Sequence, residues 1–344
     1  MRILVDLLHP AHVHVFRNLI SQMQVNGDEV LVTARDKDVT LALLDEYDIE
    51  HLTISNQASG TVGLVGEWAL RSTRLARVAR SFKPDVLTGI MGVSIAPVGK
   101  LLRIPSVVFY DTEFATTTNR VVYPLATAVV TPDCYSAPVN GNHIQHQSYH
   151  ELAYLHPDRF QPDPDVVAGA GIDPDSRYFI VRFVSWEASH DRGELALTSD
   201  QKRALIHQLA NRGRVLISSE MPLPGDLERF AYRGPTSAIH HVMAFASLVV
   251  GESATMASEA AVLGTPAVYV ATTSRGYIDD LQERYGLVRH FDPTAFEDAL
   301  DTASSFTGDD AQRSAAQARE RLLHDKVDLT DWMVDFFERY RRPT

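Results

Sequence analysis

Short apolar runs alternate with helix-length amphipathic stretches along this chain, and the alternation breaks only once. "RILVDLL", "EVLVTA", "DVLTGI", "SVVFY" and "AVVTP" read as strands bounded by Pro, Gly or Asp. "HVFRNLISQMQVNG", "DVTLALLDEYD" and "GLVGEWALRSTRLARVARSF" carry helical spacing between them. Such alternation predicts a parallel sheet covered by helices on both faces. The break lies at 155–177, "LHPDRFQPDPDVVAGAGIDPDSR", whose four prolines and many aspartates are linker chemistry. The pattern then resumes with "YFIVRFV", "SDQKRALIHQLANRG", "RVLISS", "AIHHVMAFA", "SLVVGE", "TMASEAAVLG", "PAVYVA" and "GYIDDLQERYG". The expectation is an α/β chain of two doubly wound, Rossmann-like domains, residues 1–157 and 166–325, with a last amphipathic helix in 326–344. In open α/β sheets, ligands bind outside the carboxyl ends of the strands, so the cleft between two such domains is the expected site.

A chain of 344 residues, 45% hydrophobic, suits two domains of ordinary size. No apolar run is long enough to span a bilayer and no charged-then-apolar leader opens the chain, so a cytoplasmic protein is expected. The single Cys134 cannot form an internal disulfide, which fits a reducing compartment. Asp and Glu number 44 against 32 Lys and Arg, a net charge of −12. Only Lys37, Lys83, Lys100, Lys202 and Lys326 are lysines. An acidic, Lys-poor surface fits a halophilic protein, in which salt screens self-repulsion; a genome favouring Arg codons gives the same composition. Neither profile is that of a nucleic-acid binder.

The stretch "VVGESATMASEAAVLGTPAVYV", 249–270, places small and hydroxyl residues where a buried strand turns into a helix. Ser253 and Thr255 can cap the helix start, and Ala254 leaves room for a close approach. The exposed N–H groups and the helix dipole favour an anion there, such as a diphosphate. Glu259, one turn further in, is expected to face the cleft and accept two ribose hydroxyls. A well-capped helix with an acid near its start has the same pattern.

In the first domain, "HPAHVHVF" places His9, His12 and His14 in the loop and helix after the first strand. Spacing leaves two uses open, contact with a ligand's phosphates or metal ligation. His12 and His14 with no nearby acid or Cys make a poor metal set. One of the three is expected to be only a cap or core contact. "YDTEFA" places Asp111 and Glu113 just past a strand end, where either could act as general base on an acceptor hydroxyl, or merely cap and solvate a loop. "GIMGVSIAP" offers a Gly-rich turn with Gly92 and Ser94.

These motifs resemble those of GT-B enzymes. "GESATMASEAAVLGTP" is similar to the "DSGGIQEEA-LG-P" block of non-hydrolysing UDP-N-acetylglucosamine 2-epimerases and to the equivalent block of the peptidoglycan N-acetylglucosaminyl transferase. "ATTSRG" resembles "TTERPE", and "VRFVSWEASHDRG" resembles "VT-HRREN". The whole chain most resembles the GT-B-like domain-of-unknown-function family 354, through "HPAHVHVF", "YDTEFA" and "ELAYLHP". The resemblance implies a UDP-sugar site in the C-terminal domain, with Ser253 on phosphate and Glu259 on the ribose. His9, His12, Arg182, Ala254, Thr255 and Arg275 are expected to line that site. It implies an N-terminal acceptor domain to which the last helix returns, and catalytic candidates Asp111, Glu113, His14 and His190. No metal and no cofactor are implied.

The resemblance has a gap. Where the epimerases carry "GDT" with a catalytic Asp, this chain has "GVS" with Val93, and their Arg-Pro after the first strand is His9-Pro10. The expected activity is therefore glycosyl transfer in cell-surface polysaccharide or glycoconjugate assembly. A lipid-linked or glycan acceptor and peripheral membrane association would fit it. The alternatives are a UDP-HexNAc 2-epimerase and a non-catalytic nucleotide-sugar-binding protein.

Overall fold

The computed structural model describes residues 1–183, 196–219 and 221–341. Its chain divides into two units, Met1–Arg159 with Lys326–Thr344, and Phe160–Asp325.

The first unit runs β1 (Arg2–Leu7), α1 (Pro10–Val25), β2 (Glu29–Asp36), α2 (Thr40–Glu46), β3 (His51–Asn56), α3 (Gly60–Phe82), β4 (Val86–Ile90), α4 (Ile95–Leu102), β5 (Ser106–Phe109), α5 (Thr116–Val122), β6 (Ala128–Pro132), β7 (His143–His146) and α6 (Leu152–Leu155). Its seven strands are parallel in the order β3-β2-β1-β4-β5-β6-β7. β4, β5 and β6 are buried at every residue, as parallel strands covered on both faces must be. The chain winds one way from β1 to β3 and then the other from β4, so the switch point lies between β1 and β4. Such a point opens a crevice at the strands' carboxyl ends. Beneath it Arg71 of α3, fully buried, reaches Asp6 of β1 at 2.5 Å, and Thr33 donates to the same carboxylate.

The second unit runs α7 (Pro164–Gly169), β8 (Tyr178–Phe183), α8 (Ser199–Ala210), β9 (Arg214–Ser219), α9 (Ile239–Phe245), β10 (Leu248–Gly251), α10 (Ala254–Leu263), β11 (Ala267–Val270), α11 (Gly276–Asp280), β12 (Val288–Phe291), α12 (Phe296–Phe306) and α13 (Asp309–Asp325). Five parallel strands stand in the order β12-β11-β10-β8-β9, with the switch point between β8 and β10. Gly251 closes β10 against β8 so tightly that a Cβ there would lie 1.9 Å from the Arg182 carbonyl oxygen. The stretch with linker chemistry carries α7, started by Pro164 and capped by the Asp163 carboxylate, which accepts from the Asp165 N–H at 2.8 Å.

α14 (Leu329–Phe337) belongs to the first unit and packs on α1 and α6. Asp328 caps it, and Arg159 holds that carboxylate at 2.6 Å. Among the described residues, no helix is long and apolar enough to cross a membrane.

Candidate functional site

In the first unit, the chain leaves β1 and immediately starts α1, with Pro10 as its first residue and His9 as its cap. His9 Nδ1 accepts the Ala11 N–H at 3.2 Å, and His12 Nδ1 accepts the Leu8 N–H at 3.3 Å. His12 is buried. Burial first, then the neighbouring His9, His150 and Lys37, drive its pKa well below the usual histidine value, with Asp111 opposing. A neutral His12 whose Nδ1 accepts must carry its proton on Nε2, so it can donate a hydrogen bond but not take a proton. His14 goes elsewhere. It stacks on Tyr154 at 5.3 Å and meets Tyr47 OH at 3.5 Å, in the packing of α1 against α2 and α6.

β4 is followed by Met91 and Gly92, both with positive φ. A Cβ on Gly92 would lie 2.1 Å from Val108 Cγ1, so only glycine fits the turn. Tyr110 OH donates to the Met91 carbonyl at 2.6 Å and Trp68 Nε1 to that of Val93 at 2.8 Å.

Asp111 follows β5. His150, from the segment joining β7 to α6, pairs its Nδ1 with Asp111 Oδ2 at 3.0 Å, and Thr112 donates to Oδ1 at 2.9 Å. Burial pushes the Asp111 carboxyl up, but the charge and hydrogen bond of His150, helped by Thr112, outweigh it and bring it down to about 2. For His150 burial works downward, and the Asp111 carboxylate beside it turns the balance upward. Glu113, two residues on, sits in a different setting: Asn119 donates to its backbone carbonyl, and its carboxylate lies 3.5 Å from the Ser136 N–H. The two acids of "YDTEFA" thus stand in different surroundings, Asp111 beside His150 and Glu113 beside the Ser136 N–H.

In the second unit, Ser253 caps α10, its Oγ accepting from the Met256 N–H at 3.3 Å. Ala254 is buried, and the Thr255 carbonyl accepts from Ser258 Oγ at 2.9 Å. Just before this N-terminus stands Glu252, an acid that would repel an anion. It is turned onto the fully buried Lys202, 3.1 Å away, and accepts the Leu197 N–H at 3.0 Å. That pairing offsets the charge of the carboxylate that precedes the helix start. Arg182, on β8, donates to Ser218 Oγ at 3.0 Å, and Arg275 donates to Tyr269 OH at 2.9 Å, with Tyr269 stacked on His290. His190 lies outside the described residues.

Glu259 is buried. It is 6% exposed, and its Oε1 meets His240 Nε2 at 2.9 Å. Small neighbours, Ala257, Ala260 and Ala261, let α10 bury deeply and carry the acid inward with it.

Four residues of these arrangements were not singled out from the sequence: His150, His240, Lys202 and Glu252. Two histidines on an otherwise apolar "AIHHVMAFA", and a histidine just ahead of "ELAYLHP", were the available signals. Among the described residues, His156, Asp158 and Asp328 bring three ligand-type atoms within 4.8 Å of one another, but Asp328 is already engaged by Arg159 and by the start of α14.

Residues 1–145 match the family model described as "Protein of unknown function (DUF354)". An uncharacterized protein of Methanocaldococcus jannaschii is 28% identical over 128 residues, 37% of this chain, and the match spans only 38% of that relative's length. S. aureus MnaA in complex with UDP superposes with a TM-score of 0.72 at 12% identity, covering 100% of this chain and 99% of that one. The UDP-GlcNAc 2-epimerase of Neisseria meningitidis bound to UDP-GlcNAc gives 0.68 at 12%, covering 98% and 100%. The spinosyn rhamnosyltransferase SpnG complexed with thymidine diphosphate gives 0.65 at 14%, also covering 98% and 100%. The fold is thus the two-unit α/β architecture of GT-B glycosyltransferases and UDP-GlcNAc 2-epimerases.

Proposed function

We propose that this protein is a GT-B glycosyltransferase that uses a nucleotide sugar, with UDP as the nucleotide. The observation that carries the reading is the bracing of one carboxylate in each unit by a buried histidine: Asp111 by His150 past β5, and Glu259 by His240 on the helix after β10. Proteins of the same fold hold UDP, UDP-GlcNAc and thymidine diphosphate. In this reading the second unit takes the donor. The start of α10, capped by Ser253 and lined by Ala254 and Thr255, receives the diphosphate, and Arg182 and Arg275 add positive charge. Glu259 accepts from the ribose. The first unit takes the acceptor, whose oxygen attacks the anomeric carbon as the bond to the diphosphate breaks and its electron pair leaves with phosphate. The acceptor's proton passes to Asp111. A carboxyl held near 2 is a modest base, so most of its contribution is orienting the hydroxyl and stabilising positive charge on the sugar. His12, with Nε2–H available, donates to a phosphate or sugar oxygen.

Metal-independent transfer in polysaccharide or glycoconjugate assembly, on the cytoplasmic side, completes the reading. A 2-epimerase reading has its own support in the fold shared with two UDP-binding relatives. One experiment separates the two. The protein is incubated with UDP-GlcNAc alone and with a polyprenyl-linked or oligosaccharide acceptor. UDP release only with acceptor supports transfer. Conversion of the sugar without acceptor supports epimerisation. Calorimetric binding of UDP without turnover leaves a binding protein.

A further inference from the structure

Resting on the reading of Asp111 as the acid that meets the acceptor, we infer that Trp332 of α14 is a positioning residue for it: through the ring of His146, Trp332 holds His150 against the Asp111 carboxylate. His150 is buried and its Nδ1 lies 3.0 Å from Asp111 Oδ2, while its Nε2 is buried with no hydrogen-bond partner among the described residues. One hydrogen bond at a ring edge leaves the imidazole free to turn about its Cβ–Cγ bond, which would put a carbon where Nδ1 stands. Packing must therefore keep the nitrogen on Asp111. Two rings supply it. Phe109 lies edge-on to His150 at 6.3 Å, and His146 stacks on it at 6.2 Å with 26° between the planes. Both separations lie within the range over which aromatic pairs attract.

Each of these rings rests in turn on α14. Trp332 meets His146 at 5.3 Å, and Phe337 meets Phe109 at 6.4 Å. Trp332 also stacks on Phe336, one turn further along, at 5.0 Å and 10°, so the indole is itself fixed. The backbone just ahead of the helix is tied to the loop that carries the histidines. The Val327 N–H donates to the Gln147 carbonyl at 2.9 Å, and Ser148 Oγ donates to the Val327 carbonyl at 2.6 Å. Gln147 and Ser148 lie between His146 and His150 in sequence. Burial first, then the charges of His150 and Lys326, push His146 well below the usual histidine value, so it packs as a neutral ring. Its contribution is shape, and a phenylalanine should supply the same shape. Of the two paths to His150, the one through Trp332 is open to substitution: Phe109 and Phe337 are fully buried in the core, whereas Trp332 is only partly buried.

The test uses the full chain with isotope-labelled histidine, observed by NMR. An imidazole Nδ1–H bound to a carboxylate gives a far-downfield proton resonance, and Asp111→Asn identifies that of His150 by removing it. Trp332→Ala and His146→Ala should lose or broaden this resonance, whereas Trp332→Phe and His146→Phe should keep it. With UDP-GlcNAc and a polyprenyl-linked acceptor, the Ala variants should lose about tenfold to a hundredfold in kcat with KM for UDP-GlcNAc within about twofold, and the Phe variants should recover most of that loss. A merely structural role would lower the urea midpoint and leave the resonance unmoved. If an Ala variant does not fold, Trp332→Leu, which fills the site without a flat ring, takes its place and should also lose the resonance. A wild type without the resonance, its retention in both Ala variants, or an equal loss in the Ala and Phe variants overturns the positioning role. A resonance that depends on Trp332 in a protein that transfers no sugar would support the positioning of Asp111 and overturn the transferase reading beneath it.

Discussion

The two units arrive at one device by different routes. Each braces a carboxylate with a histidine from another segment of its own unit, at 3.0 Å in the first and 2.9 Å in the second. In the first, the acid stands on a loop and keeps 24% of its side chain open; in the second, it rides on a helix and keeps 8%. A loop just past a strand end can present a charged atom to a reacting group and release it again. A helix that buries its acid offers a fixed acceptor of one geometry. The open version suits chemistry and the closed version suits recognition, and the following changes break or sharpen that contrast.

The largest effect is expected at the open acid. Asp111→Asn should lower the transfer rate about a hundredfold to ten-thousandfold while UDP affinity stays within about twofold, measured by steady-state kinetics and calorimetry. A matching loss of UDP affinity would make the two acids equivalent and remove the contrast. Next is the closed one. Glu259→Ala strips a buried histidine of its partner, so unfolding free energy in urea should fall by about 3 kcal/mol, together with weaker UDP binding. Weaker binding at unchanged stability would mean that Glu259 behaves as a surface acid.

A smaller effect separates the units by pH. His150 sits above 6.5 in the fold, so its share of stability is complete below 6.5 and fades as pH rises through its folded value. Asp111 is lowered from 3.8 to about 2, so its share is present above 3.8 and fades as pH falls towards 2. The stability difference between wild type and Asp111→Asn should therefore be widest from about pH 4 to 6.5, on the order of 1–2 kcal/mol, and narrow on either side. Urea midpoints across that range would show it. A difference flat with pH would mean that the pair carries no coupled proton.

The smallest effect concerns what the units share, an acidic surface with five lysines in the chain. If that surface reflects a halophilic habit, the melting temperature should rise by a few degrees as KCl goes from dilute to molar. A flat or falling curve would leave codon usage as the explanation.

The central strands were legible because burial on both faces writes an unbroken apolar run, whereas the short α4 and α5 between β4, β5 and β6 were not. β3, β7 and β12 were not, and all three stand at sheet edges. "HIQH" and "VRHF" are short and half polar because one side meets no further strand. Asp111 and Glu259 stood out since carboxylates beside apolar strands are conspicuous. Their partners did not, because each comes from a different segment, 39 positions away for His150 and 19 for His240, and only the folded sheet order brings them together. The burial of Glu259 was likewise invisible, since a helical acid looks the same in sequence whichever way its helix rolls.

The return of α14 to the first unit has a consequence for the order in which the protein is made. α1 and α6 leave the ribosome early, yet the face they share is covered only when Leu329–Phe337 emerges. Phe109, at the end of β5, waits as well for Phe337, its ring neighbour at 6.4 Å. The second unit, by contrast, is one uninterrupted stretch, Phe160–Asp325. The half of the molecule that is translated first is therefore the half that finishes folding last. Throughout synthesis of the second unit, the face of α1 and α6 that α14 covers in the folded protein stays uncovered.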